Sequence, residues 1–422
     1  MIYIIIFFLM LMCIYAFDVR RHKTFYSFSY WGFFVILVLI AGLRYRIGTD
    51  SIVYEREYES FPALWEVFKY KFNNTRFEPG FIVFASITRG ISKDFTLFQF
   101  FHAIVVNFVV FWFVLKNCNH RFLCLLFYFI ALYLNLNTQV LRESLAVCCF
   151  LLSWPFFRDN KWILYYLMIA LAFCFHTSAI ILFILPLFCL PVIKQFFIFG
   201  KRTILIGLIL LILGIYIQTQ FSEIFSVMAF SERMMDRVNT YANTEFSTGR
   251  FNVLGAFVTI TLNFIYPAFA LYFDQKRKNL NIAREEKDEK KSKRKLRFLL
   301  KDKQNFSRFE MIVITGMFLS LFSIPMFIFG RYFNYFGLFL MVAIANWTFS
   351  VLDIGKKKIR LKPSYWAIIL FPFFFVNLYS YNAPANRSGT LKTYQIYYPY
   401  NTRLDPKMDT QREAIYRYWN AR

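Results

Sequence analysis

Arg44, Arg46 and Asp50 follow one apolar run, in AGLRYRIGTDSIVYEREY (41–58). Arg142 and Glu143 open another, in LNLNTQVLRESLA. His176 opens a third, in AFCFHTSAII, and Arg331 lies between two more, in FIFGRYFNYFG. A charged side chain at mid-bilayer costs about 2.5–3.5 kcal/mol on insertion scales, so such groups gathered near one face invite a chemical reading. A guanidinium is a planar fork of donors that stays charged at any working pH and grips phosphate oxygens bidentately. Several around one cavity suit a diphosphate. A diphosphate that enters a membrane cavity from the side is most simply a lipid-linked one. His176, or a carboxylate such as Asp50 or Glu78, could take a proton from an acceptor hydroxyl. Plainer readings stand beside these. Arg44 could snorkel to headgroups next to Tyr45, Arg142 and Glu143 could cap or pair locally, His176 could simply start a helix, and Arg331 could anchor at the interface.

The elements that position these residues are helices in a membrane. The chain is 58% hydrophobic and holds 57 phenylalanines, more apolar surface than a water-soluble domain needs. Continuous apolar runs of about 17–25 residues recur, the length that crosses ~30 Å of hydrocarbon. The fold class is therefore all-α, a polytopic integral membrane protein. Continuous runs also disfavour a β-barrel, whose strands alternate in short segments. The net charge of +24 does not indicate nucleic acid, because the basic excess sits in short loops between apolar runs. Cys13, Cys148, Cys149, Cys174 and Cys189 lie in or beside apolar runs and show neither metal-ligand spacing nor a secreted disulfide framework.

The expected spans are 1–17, 26–43, 95–115, 121–136, 139–157, 161–175, 176–193, 202–219, 251–273, 310–329, 332–352 and 364–380. The first run has no basic residue before it, and Arg20, Arg21 and Lys23 follow it, which sets its N-terminus outside. The loops DVRRHK, KNCNHR, FRDNK, IKQFFIFGKR, 274–309 and DIGKKKIRLK then fall inside, all of them basic. Outside lie the loop 44–94, the turns near Asn137, His176 and Arg331, the loop 220–250, and a tail from 381 to 422. About 12 transmembrane helices form a domain over 1–380. EPGFIVFASITRGIS (78–92) is apolar but short, and is expected as a re-entrant or interfacial helix covered by protein. The mixed-charge loop 274–309 reads as a solvated linker that also favours anionic lipid. The four charged groups were not used to set this topology, yet all fall on its outer side.

The outer segments are rich in aromatics, namely Tyr54, Tyr58, Trp65, Tyr394, Tyr397, Tyr398 and Tyr400. Such faces suit sugar rings and interfacial belts alike. The chain has no Gly-rich phosphate loop, zinc motif or serine-nucleophile elbow. Transfer from an already activated sugar diphosphate needs none of them, only a held leaving group and a base.

In order along the chain, GLRYRIGTDSIVY, EPGF, VLRESLA, FHTSA and GRYFNY resemble the EpsG/Wzy-type polymerases of bacterial surface polysaccharides over roughly residues 1–350. The resemblance implies an enzyme of the bacterial inner membrane. It would join repeat units carried on undecaprenyl diphosphate at the outer face, without metal, nucleotide or other cofactor. A chain-length regulator and a flippase are the implied partners. Arg44, Asp50, Arg142, His176 and Arg331 are the positions carried over. Arg142 and Arg331 would hold the diphosphate with Arg44 helping, and His176 would act as base or hydroxyl-orienting group with Asp50 as its rival. Arg46, Glu78, Glu143 and Tyr54 complete the expected substrate site. The family commonly has Gln after the arginine of VLRESLA, where this chain has Glu143. The tail after Tyr381 lies outside the resemblance.

Three other functions fit part of this pattern. A flippase for the lipid-linked unit would use the same arginines but should expose charged sites to both leaflets. A polyprenyl-dependent glycosyltransferase or ligase would favour a carboxylate-rich outer loop, which Asp50, Glu55, Glu57 and Glu59 supply. A scaffold would tolerate substitution of all these residues.

Overall fold

The computed structural model describes residues 2–70, 72, 75, 77–190, 201–219, 253–272, 307–325, 327–350, 371, 375, 379, 381–385 and 389–420. Among these the chain is helical, with isolated bridges but no strand. Among the described residues two helices are long and apolar enough to cross a membrane, Ile2–Val19 and Phe95–Asn117. Shorter apolar helices include Tyr26–Gly42, Arg121–Tyr133, Trp162–Phe175 and Leu205–Ile217. The expected loop 220–250, most of 274–309 and nearly all of the expected span 364–380 lie outside the described residues.

The chain divides into two compact units, Met1–Phe183 with Phe373–Arg422, and Ile184–Pro372. The first unit contains α1 (Ile2–Cys13), α2 (Tyr26–Gly42), α3 (Thr49–Tyr58), α4 (Pro79–Arg89), α5 (Phe95–Asn117), α6 (Arg121–Tyr128), α7 (Leu141–Arg158) and α8 (Trp162–Phe175). α5 is started by Asp94, whose carboxylate accepts the backbone N–H of Thr96 at 2.9 Å. It packs against α2 and α7, and α7 pairs with α8 as a hairpin. α6 runs on through two π-helical stretches, Phe129–Tyr133 and Asn135–Gln139. A closed set of buried amides and a phenol braces this irregular backbone. Asn107 Nδ2 donates to Asn137 Oδ1 at 2.9 Å, Asn137 Nδ2 to the Tyr128 hydroxyl at 3.2 Å, and that hydroxyl to Asn107 Oδ1 at 2.9 Å.

Contacts sort the unit into two ends. At one, Arg121 donates to the Tyr26 hydroxyl at 3.2 Å, Asp18 accepts the Leu123 N–H at 2.8 Å, and Trp154 donates to Asn117 at 2.9 Å. This end gathers the neighbourhoods of the basic loops DVRRHK, KNCNHR and FRDNK. At the other, Tyr3 packs on Tyr400 with ring centroids 6.0 Å apart, and the backbone after α2 meets the C-terminal segment. α4 also sits here. Its 11 residues span about 16 Å at 1.5 Å per residue, about half of the ~30 Å hydrocarbon. Both of its ends return to α3 or its partners, because Glu78 pairs with Arg142 and Thr88 accepts from Tyr58.

The expected tail is a folded strap. Tyr45 N–H donates to Asn401 O at 2.9 Å, Arg403 N–H to Leu43 O at 2.8 Å, and Gly48 N–H to Ile396 O at 3.2 Å. The Tyr400 hydroxyl donates to Ile40 O at 2.9 Å. Ala385, Ile396 and Ile415 form a small core under a last helix, α13 (Thr410–Asn420).

The second unit contains α9 (Lys201–Thr219), α10 (Val253–Ile260), α11 (Arg308–Phe322) and α12 (Tyr332–Ser350). α11 begins with a capping box in which Ser307 accepts the Glu310 N–H at 3.3 Å and Glu310 accepts the Ser307 N–H at 2.5 Å. Gly316 lets α11 approach α12, since a Cβ there would stand 2.7 Å from the Phe336 Cβ. Two expected spans differ from the structure. Residues 176–193 were expected as one helix, but Thr177–Phe183 and Leu185–Cys189 are separate 3-10 turns. Pro186 lacks the N–H that an α-helix would need there. The helix expected over 310–329 ends at Phe322, ahead of Pro325, and resumes as a 3-10 turn, Phe327–Arg331.

Candidate functional site

Three of the segments singled out in the sequence meet at one guanidinium. Arg142 lies in the first turn of α7 with its side chain 24% exposed. Its Nη1 donates to Glu78 Oε2 at 2.6 Å, and its Nε donates to the Tyr54 hydroxyl at 3.3 Å. The plane lies over the Phe77 ring, 5.2 Å from the centroid, so a cation–π contact joins the two charge-assisted bonds. Phe77 stacks on Phe81 at 5.6 Å, and Tyr54 packs on both rings. EPGF explains how Glu78 is presented. Pro79 fits the first helical position of α4. Gly80 lets α4 press on α8, since a Cβ there would lie 2.8 Å from Cys174 O. Phe81 is buried among the aromatic rings.

Gly48 places α3. It holds φ +92°, and a Cβ on it would stand 2.8 Å from Thr138 O, in the second π-helical stretch. Asp50, exposed in the first turn of α3, donates its backbone N–H to Gln139 Oε1 at 3.4 Å. It therefore stands one turn before Tyr54 and close to the start of α7. Glu143 is buried at 2% exposure in the same first turn as Arg142.

His176 ends α8 in an extended conformation, two residues beyond the carbonyl on which Gly80 rests. It is 7% exposed. Its Nδ1 accepts the Ser178 N–H at 3.2 Å and lies 2.6 Å from the Ser178 hydroxyl. A backbone N–H always donates, so the neutral ring carries its proton on Nε2. His176 thus offers a donor at Nε2.

Arg44 and Arg46 have other surroundings. Arg46 Nε donates to Glu55 Oε2 at 2.8 Å, and Arg403 of the strap pairs with the same carboxylate. Arg44 is 1% exposed beneath the strap. One Nη donates to Ala41 O, while Nε and the other Nη have no hydrogen-bond partner. Burial is the largest influence on it and lowers its pKa to about 10, so it stays charged at neutral pH. The expected direct contact of Arg44 with a diphosphate meets a guanidinium that no solute reaches while the strap is seated. Arg331 belongs to the second unit and is exposed at the end of the turn before α12.

Sequence reading passed over His102. Fully buried in α5, its Nε2 lies 3.1 Å from Leu141 O and 2.9 Å from the Ser144 hydroxyl, gripping the turn that carries Arg142. A lone histidine in an apolar run gives no signal for this. Among the described residues no three His, Cys, Asp or Glu side chains gather as a metal site.

The EpsG family model matches residues 28–402. The chain belongs to the EpsG family. The family is associated with polysaccharide polymerisation by glycosyl transfer and with the membrane. The match includes Asn401 and Thr402 of the strap, so the tail expected to lie outside the resemblance is in part family sequence. No curated protein and no solved structure matches the chain.

Proposed function

We propose that this EpsG-family chain joins undecaprenyl-diphosphate-linked oligosaccharide repeat units of a bacterial surface polysaccharide, at the outer face of the inner membrane. The observation that carries the reading is the Arg142 guanidinium, held by Glu78, Tyr54 and Phe77 from separate motifs. It is a partly exposed cation in the first turn of α7, the group a diphosphate needs. In this reading about 12 spans cross the membrane and 78–92 re-enters it. The end of the first unit that carries Tyr3, Arg142 and the strap faces outward. The gathering of three basic loop neighbourhoods at the opposite end supports that orientation.

The chemistry is a displacement at the donor's anomeric carbon. An acceptor hydroxyl oxygen forms the new glycosidic bond, and the bond from that carbon to the phosphate oxygen breaks. Undecaprenyl diphosphate leaves, with charge growing on the oxygens held by Arg142. Glu78 is paired with Arg142 at 2.6 Å, so in this reading a phosphate competes with it for the guanidinium. Exposed Asp50 takes the hydroxyl proton. His176, with its proton on Nε2, orients oxygen as a donor, which favours the orienting role over that of base. Arg44, sealed under the strap, takes no direct part in this reading. A lipid-linked oligosaccharide is the substrate, and a chain-length regulator and a flippase are its proposed partners.

The test is a gel of surface polysaccharide from cells lacking the gene and re-supplied with wild type, Arg142→Ala or His176→Ala. Collapse of the ladder to a single exported repeat unit supports the polymerase. Accumulation of lipid-linked units inside the cell supports a flippase and overturns it.

A further inference from the structure

α3 has two working faces. Tyr54 and Tyr58 point into the aromatic packing beside Arg142. Ile52, Glu55, Arg56 and Glu59 line a cavity of about 500 Å³ on the other side. Its opposite wall is the end of the strap, including Glu413, Tyr416 and Arg417. The volume lies within the ~300–1,000 Å³ typical of small-ligand sites.

The charge in this cavity differs from that around Arg142. Arg46, Arg56 and Arg417 are matched by Glu55, Glu59 and Glu413. Two of these matches are direct ion pairs, Arg46–Glu55 at 2.8 Å and Arg417–Glu413 at 2.7 Å. The exposed side chains of Arg56, in the last turn of α3, and Glu59, which caps it, make no ion pair with a described residue. A balanced wall has no net attraction for a diphosphate. It does offer planar two-oxygen acceptors beside planar two-nitrogen donors. A carboxylate accepts from two neighbouring hydroxyls, a guanidinium donates to two, and Tyr416 adds an aromatic ring. Hydroxyl-rich rings match that set.

We propose that the cavity between α3 and α13 is a saccharide subsite, which holds the glycan part of a substrate whose diphosphate sits at Arg142. This rests on the polymerase reading given above. One helix, about 10 Å across with its side chains, separates the two sites. A glycan leaving the phosphate would wrap past the start of α3 and be gripped beyond it. Such a grip would keep the growing chain in place between additions, and so would set chain length.

The test uses the full-length protein in lipid nanodiscs and a phosphate-free probe, the oligosaccharide released by mild acid from the producing cell's own surface polysaccharide. Titration calorimetry compares wild type, Arg56→Ala with Glu59→Ala, Tyr416→Ala and Arg142→Ala. The expected result is binding by wild type, a Kd raised at least about tenfold in the cavity variants through loss of charge-assisted bonds, and no change in Arg142→Ala. Arg56 and Glu59 are exposed, so their loss leaves the fold intact, and a monodisperse elution profile checks this. Equal affinity in wild type and cavity variants, weakening only in Arg142→Ala, or no binding by wild type overturns the subsite. In cells, cavity variants should shorten the polysaccharide ladder where Arg142→Ala removes it. Accumulation of lipid-linked units inside the cell would instead sink the polymerase reading while leaving the calorimetry to judge the subsite by itself.

Discussion

Arg142 and Arg44 lie at the same end of the first unit and look alike in sequence, each an arginine where an apolar run meets water. Their surroundings are opposite. Arg142 is a quarter exposed, faces a carboxylate and lies over an aromatic ring. Arg44 is 1% exposed and hydrogen bonds to a backbone carbonyl, with two nitrogens unpartnered. A part-exposed cation can be reached by solutes. A cation sealed under a strap cannot, and its desolvation weighs against the fold. Position at a span end therefore does not distinguish a ligand-holding arginine from a buried one, but the residues that arrive from elsewhere in the chain do.

The largest expected effect is at Arg142. Arg142→Met should lower polymer yield by about 10²–10³-fold at equal membrane protein level, the loss typical of removing a preorganised charge-stabilising donor. Quantified labelled-sugar incorporation checks it, and wild-type incorporation would dissolve the contrast with Arg44. Gly80→Ala comes next. Its Cβ would enter the space of Cys174 O, push α4 from α8 and draw Glu78 off Arg142. Overpacking of this kind costs about 1–3 kcal/mol, so a fall in the detergent-solubilised Tm should accompany the loss of polymer. Arg403→Ala loosens the strap at Glu55, a part-buried ion pair, and should make the segment after Tyr381 more sensitive to limited proteolysis. Protection equal to wild type would show that the backbone bonds alone seat it. The smallest effect is expected at Arg44→Met. A buried cation without a carboxylate is replaced by an apolar chain of similar length, so Tm should stay level or rise. Lost polymer from a well-folded Arg44→Met protein would move that guanidinium into the substrate site and erase the comparison.

The motifs around Arg142 were legible because charge is rare and costly in so apolar a chain, and Arg, Glu and His stand out against Phe and Leu. That the helix within 78–92 is short was legible from its length, and the structure has it as Pro79–Arg89. The strap was not. Asn401 meets Tyr45 through backbone atoms, which leave no mark in side-chain pattern, and Arg403 reaches Glu55 across 348 residues. The 3-10 turns after His176 were hidden by uniform apolarity, which reports burial but not helix type, although Pro186 was a visible warning. Arg44 and Arg142 could not be told apart, because what separates them is the tertiary neighbours of each.

The strap also orders events in time. The two walls of the α3–α13 cavity are made far apart in time, because Glu55 and Arg403 stand 348 residues apart. At about 5–20 residues per second, the 348 residues between Glu55 and Arg403 take roughly 17–70 s to appear. During that interval the α3 side of the cavity exists without the strap residues that face it. A half-made molecule therefore has one wall of the cavity before the other, and the cavity closes only once the strap has been made.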